Sequence, residues 1–107
     1  MDIEQLTQYA LTKEATEEGF PFGETVLVFK TRGKMFLMMA LDAHPHFITL
    51  KCHPDRVLEL RETYPAVVPG YHMNKKHWIT ILLDGSLKDN LLMELVDTSY
   101  QLVSKKN

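Results

Sequence analysis

The stretch TVLVFKT-RG-KMFLMMAL, residues 25–41, constrains this chain more than any other. A run rich in β-branched and aromatic residues leads into Arg32-Gly33, and a second apolar run leads out. Two such runs joined by a two-residue, glycine-containing link predict a β-hairpin. The second strand, residues 34–41, is apolar on both faces. Met35, Leu37, Met39 and Leu41 alternate with Phe36, Met38 and Ala40. A strand with one wet face needs only one apolar row, so this pattern predicts a strand inside a sheet, covered on both sides. A face that meets another subunit is the alternative. The three methionines, Met35, Met38 and Met39, are adaptable packing residues suited to either use.

The remaining elements arrange themselves around that hairpin. Residues 2–12 predict a short amphipathic helix, with Asp2 as its cap and Ile3, Leu6 and Ala10 on one stripe. EEGFPFGE follows. Its glycines and Pro21 forbid a continued helix, so it reads as an irregular loop pinned to the core by Phe20 and Phe22. Residues 44–52 turn at Pro45 into a third strand, in which Phe47, Thr49 and Lys51 alternate with Ile48, Leu50 and Cys52. His53-Pro54 ends that strand, and Pro54 suits the first turn of a helix that Pro65 stops. AVVPGY, interrupted by Pro69-Gly70, is an edge strand or a bend. HWITILLDG, residues 77–85, is a strand closing in an Asp-Gly turn. From Leu87, Leu91, Leu92, Leu95, Val96, Ser99, Leu102 and Val103 recur at helical spacing, and Lys105 and Lys106 suit the end of that helix. The order is αβββαββα. It predicts the α+β class: an antiparallel sheet of about five strands with three helices packed on it, in one domain, residues 1–107.

Composition limits the functional classes. No apolar run approaches the roughly 20 residues that cross a bilayer. The polar, acidic start MDIEQLTQYA is unlike a secretory signal. A lone cysteine, Cys52, excludes an internal disulfide and a Cys-based zinc cluster within one chain. The expectation is a cytoplasmic protein, monomer or weak dimer, with no membrane partner. A formal net charge of −2 argues against a strongly basic nucleic-acid domain, yet the charge is uneven. Residues 1–24 carry a net of −5, and residues 30–78 a net of +4.

Several constellations invite chemistry. His44 and His46, two apart, would share a strand face, but a metal site needs three or four converging ligands, and no such spacing occurs. Neither a metal nor a cofactor is expected. Cys52 beside His53 suggests a nucleophile and base, but neighbours on a strand point apart, so His72 or His77 would have to be brought near by folding. No catalytic motif is present, and an enzyme is not expected. The strongest candidate is GYHMNKKHW, residues 70–78, where two lysines lie between two histidines and the only tryptophan. Lys75 and Lys76 would contact phosphates from a hairpin tip, and Trp78 would either stack on a base or anchor the hairpin in the core. If Trp78 begins the strand, it shares a face with Thr80 and Leu82, opposite His77, Ile79 and Ile81.

The chain also resembles a known family. Phe20-Pro21-Phe22-Gly23, Gly33-Lys34-Met35-Phe36, Leu50-Lys51-Cys52 followed by Pro54, the run from Gly70 through Lys75 into His77-Trp78, and Ser99-Tyr100 are similar to the MmcQ/YjbR family of small bacterial proteins. The similarity runs from about Tyr9 to Val103. It implies a CyaY-like α+β fold of uncharacterised role, ascribed to DNA binding because two β-hairpins resemble wings. Carried onto this sequence, the wings are the Thr31–Lys34 turn, with Arg32 and Lys34, and the His72–Trp78 loop, with Lys51 as a third cation in the same groove.

The functional expectation is weak, salt-dependent DNA binding through Arg32, Lys34, Lys51, Lys75 and Lys76, with His72, His77 and Trp78 shaping the groove. The alternative is a module for an acidic protein or a small anion, with the Phe-Pro-Phe-Gly loop and the Lys51/Lys75/His77 region lining one pocket. Cations in an open row favour nucleic acid; cations converging on one concavity favour the anion.

Overall fold

The computed structural model describes residues 1–104; Lys105 and Lys106 lie outside them. The elements are α1 (Ile3–Leu11), β1 (Thr16–Gly19), β2 (Val26–Thr31), β3 (Lys34–Ala40), β4 (Phe47–Lys51), α2 (Pro54–Thr63), β5 (Val67–Pro69), β6 (Trp78–Leu82) and α3 (Asp89–Ser104). The strands form one sheet in the order β1-β2-β3-β4-β6-β5. Every pairing is antiparallel.

The α+β class and the three helices agree with the sequence pattern. The sheet has six strands rather than about five, because Thr16–Gly19 pairs with β2. This edge strand is polar and short, so no hydrophobic alternation announces it. Helix α1 begins as expected. Asp2 accepts the Gln5 N–H at 2.8 Å, and the Gln5 side chain returns the bond to the Asp2 N–H at 3.0 Å. Arg32 and Gly33 both take positive φ, 50° and 81°, as a tight hairpin turn between β2 and β3 requires.

All three helices pack on one face of the sheet. Leu27 and Phe29 of β2, Leu37 and Met39 of β3, Ile48 and Leu50 of β4, and Ile79 and Ile81 of β6 share that inner face, as their cross-strand pairings require. They form one core with Leu6 and Ala10 of α1, Val57 and Leu60 of α2, and Leu92, Leu95, Val96 and Val103 of α3. A β-bulge alters the alternation expected of β3. Phe29 pairs with Leu37, but the next residue, Lys30, pairs with Met35. Phe36 is therefore the extra residue, and it joins Leu37 in the core, both fully buried, instead of sharing a face with Met38. The bulge opens the ladder between β3 and β4, and Ser99 of α3 fills the gap. Its hydroxyl donates to the Phe36 carbonyl at 2.5 Å and accepts the Lys51 N–H at 2.9 Å.

The outer face carries Val26, Val28, Lys30, Met35, Met38, Ala40, Phe47, Thr49, Lys51, Trp78, Thr80 and Leu82. No helix among the described residues covers it. β3 is thus interior to the sheet but covered by helices on one side only. The loop with Phe20 and Phe22 is not pinned to the core: the two rings are 50% and 67% exposed.

Candidate functional site at one end of the outer face

The antiparallel register decides which sequence-distant cations become neighbours. The β2–β3 turn, the end of β4 and the start of β6 all lie at the same end of the sheet. Arg32 and Lys34 stand at the turn, Lys51 closes β4, and Trp78 opens β6 directly opposite Lys51. Lys75 and Lys76 precede Trp78 in the loop from β5. Arg32, Lys34, Lys75 and Lys76 are exposed, and Lys51 is half-buried. None of the five is ion-paired with an acid among the described residues. They are spread along this end of the sheet over β2, β3, β4 and β6, three strand spacings or roughly 14 Å; Lys34, paired with Thr31, stands on the inner side of the turn, and Lys51 on the outer face.

Trp78 does not anchor the hairpin in the core. Ile79 and Ile81 turn inward, so Trp78 turns outward with Thr80, half-buried and outside the core cluster. Its backbone presses on Gly70: a Cβ on Gly70 would stand 2.8 Å from the Trp78 Cβ and 3.0 Å from the Trp78 carbonyl oxygen. Only glycine lets the loop pass there.

The loop then folds back over the outer face. The Tyr71 N–H donates to Thr80 Oγ1 at 2.9 Å, and Thr80 in turn shares a buried 2.8 Å hydrogen bond with Thr49. The Tyr71 ring meets Phe47 edge-on at 5.7 Å, and His72, at φ 57°, lies against Tyr71 at 4.0 Å between ring centres. His72 therefore joins the rings above the sheet rather than the lysine row. Tyr71 is nevertheless 57% exposed. A depression of 520 Å³ lies beside it, lined by Val26, Ala40, Phe47, Val68, Tyr71 and Leu82.

Sequence reasoning missed three members of this surface. Lys30 and Met35 pair on the outer face in line with Lys51 and Trp78, and Tyr71 supplies a second exposed ring. The signal for Lys30 was present in the alternation Val26, Val28, Lys30; nothing in the sequence foretells the return of Tyr71.

The other expected arrangements separate. The Phe-Pro-Phe-Gly loop follows β1 and precedes β2, at the end of the sheet where β3 finishes. Lys51, Lys75 and His77 lie towards the end where β3 begins; by the register, Phe20 and Lys51 are about 10 Å apart along the strands and three strand spacings apart across them. Phe20 and Pro21 line a depression with Glu17, Val28 and Lys30, of which Lys51, Lys75 and His77 are not part. Cys52 is buried in the core, its N–H bonded to the His77 carbonyl at 2.8 Å. Burial pushes its thiol pKa up, away from what a nucleophile needs. The His44 and His46 rings are 6.1 Å apart, and no group of three His, Cys, Asp or Glu among the described residues is placed to hold a metal. No helix among them is long and apolar enough to cross a membrane.

A family model described as YjbR matches residues 11–102. The chain belongs to the YjbR family. Among its relatives, the uncharacterised Escherichia coli O157:H7 protein YbdF is 38% identical over 100 residues, covering 94% of this chain and 82% of YbdF. The uncharacterised protein YjbR of Escherichia coli K12 is 35% identical over 101 residues, covering 94% of this chain and 86% of its own length. The YjbR-family fold is seen in solved structures as well. Deinococcus radiodurans protein DR2400, with a domain designated DUF419, superposes with a TM-score of 0.93 at 38% identity, over 98% of this chain and 80% of that one. A crystal structure of a Pseudomonas syringae protein gives a TM-score of 0.83 at 31% identity, over 95% and 98%.

Proposed function

We propose that this YjbR-family protein is a non-enzymatic nucleic-acid-binding protein of the cytoplasm, and that its contact surface is the cation row with Trp78. One observation carries the reading. Arg32 and Lys34, Lys51, and Lys75 and Lys76 come from three separate segments, and the register collects them at one end of the sheet, free of acidic partners among the described residues. A row about 14 Å long matches a run of phosphates better than a single compact anion. The double-wing arrangement fits the same positions, with the Thr31–Lys34 turn as one wing and the loop before Trp78 as the other. Arg32, Lys34, Lys75 and Lys76 contact phosphates; Lys51 and Trp78 form the floor between the wings.

Such binding is electrostatic and falls steeply with salt. With about four phosphate contacts, affinity drops roughly a hundredfold between about 50 and 200 mM salt. Converting Lys75 and Lys76 together to glutamate lowers affinity for a labelled oligonucleotide at least about tenfold, with the thermal midpoint nearly unchanged because both side chains are exposed. Fluorescence anisotropy at two salt concentrations reads both effects, and an unaltered affinity in the double variant refutes the assignment. A protein partner is the second reading, favoured by the exposed Phe20 and Phe22 at the opposite end of the sheet. Binding there resists salt and is lost in Phe22→Ser.

A further inference from the structure

The outer face adds something that the cation row alone does not. Lys30, Met35, Lys51 and Trp78 fall on neighbouring strands β2, β3, β4 and β6, on the side of the sheet without helices. Two ammonium groups, a thioether and an indole thus run across the sheet in one band. Glu17, paired with Lys30, bounds the band on the β1 side. Above it, Tyr71 is held by its N–H on Thr80 and by the edge of Phe47. Its backbone is fixed beside Thr80, two residues beyond Trp78 on β6, and its ring lies on Phe47, which pairs with Leu82, so the two aromatic positions are offset by roughly 7–13 Å along the strand.

Resting on the nucleic-acid reading above, we propose that the ligand is a single strand that lies across this face, with unpaired bases stacked on Trp78 and Tyr71 and its phosphates on Lys30, Lys51 and the flanking Lys75 and Lys76. A duplex hides the flat faces of its bases, so it can meet the wings but cannot use rings set on a sheet. A sheet surface with one exposed and one partly exposed ring and flanking cations is suited to splayed bases, because every base has a π-face and the contact needs no particular sequence. The arrangement is also firm. Tyr71 keeps more than half its surface exposed while its backbone is fixed to a buried threonine pair. A ring held in place before binding loses little freedom on stacking. The depression lined by Phe47, Tyr71 and Leu82 continues the platform away from Trp78, towards Asp42 at its far rim. The carboxylate there sets the limit of the phosphate path.

The test compares a labelled oligothymidylate of about 12 nucleotides, within the site sizes such modules cover, with a blunt duplex of the same length, by anisotropy at low salt. The emission of Trp78, the only tryptophan, is followed in the same titrations. The single strand is expected to bind at least about tenfold more tightly than the duplex and to quench Trp78. Trp78→Leu and Tyr71→Ala each lower single-strand affinity about tenfold, the scale of one lost stacking contact. Tyr71→Ala removes an exposed ring, so it carries the test should Trp78→Leu fail to fold. A duplex that binds as tightly as the single strand, or a Tyr71→Ala protein with unchanged single-strand affinity, overturns this inference and leaves the wing reading standing. Failure of both oligonucleotides to bind overturns the two together.

Discussion

The two faces of this sheet start from similar raw material and end differently. The inner face presents Leu27, Phe29, Leu37, Met39, Ile48, Leu50, Ile79 and Ile81, nearly all fully buried under α1, α2 and α3. The outer face presents Val26, Met38, Phe47, Trp78 and Leu82, each half-buried with no helix above it among the described residues. Its centre is still dry. Val28, Thr49 and Thr80 are 1%, 2% and 3% exposed, shielded by neighbouring side chains and by the loops that fold over them. The inner face is finished by packing against the rest of the chain. The outer face is finished only at its centre, and its margins mix rings with lysines. In an α+β protein of this size, a sheet surface that the helices leave free is where a ligand can be met without disturbing the core.

If the faces differ in this way, matched truncations will separate stability from binding. The largest effect is expected at Phe36, which the bulge turns inward. Phe36→Ala costs about 3–5 kcal/mol in urea unfolding, the range for a fully buried ring. Trp78→Leu on the outer face costs under about 2 kcal/mol, since the indole is only partly buried and lies outside the core cluster, while oligonucleotide affinity falls about tenfold. Equal costs at the two positions would erase the distinction between the faces.

Ser99 joins the faces, and it comes next in size. Its hydroxyl satisfies the carbonyl of inward-facing Phe36 and the N–H of outward-facing Lys51. Ser99→Ala leaves both backbone groups without that partner, at a cost of about 1–3 kcal/mol by denaturant titration. It also loosens Lys51, so affinity falls in step. A stability loss with affinity intact would mean that the bulge pin and the cation row are independent.

The smallest effect is alkaline. Burial raises the Cys52 pKa, so the native chain holds the thiol proton to higher pH than the unfolded chain does. The stabilisation is complete below the unfolded thiol's range, near about pH 8.5, and is lost as pH rises through and beyond it. Urea midpoints measured on either side of that range should show a decline that is shallower in Cys52→Ala. An identical decline in the variant would assign the slope to other groups. The Tyr9 phenol, whose proton is held by a hydrogen bond to Asp97, is shifted upward as well.

Much of the fold was legible because the pattern of side chains enforces it. The hairpin at Arg32-Gly33, the strand of β4 and the helical stripe ending at Val103 all follow from alternation, turn chemistry and spacing. β1 was not legible, because Thr16–Gly19 is made a strand by its partner β2 and not by its own composition. The bulge at Phe36 was hidden for a related reason. A run apolar at every position reads equally well in either register, so nothing marks the extra residue. The candidate site was half legible. Its cations were visible as a basic middle segment, but their gathering at one end depends on β6 inserting between β4 and β5. Trp78 was placed on the right strand with the right companions, Thr80 and Leu82; sequence alone could not say which side of that strand the helices would cover.

The central claim is that binding takes place on the helix-free face, at the end where Lys51 meets Trp78. The most direct measurement is a ¹H–¹⁵N correlation spectrum of the labelled protein titrated with a short oligothymidylate at low salt. The account predicts that shifts concentrate on the Trp78 indole N–H and on the amides of Lys30, Lys51, Tyr71, Lys75 and Lys76, while Leu6, Val57 and Leu92 on the helical side stay still. Shifts centred on α1, α2 or α3, with Lys51 and Trp78 unmoved, would contradict it.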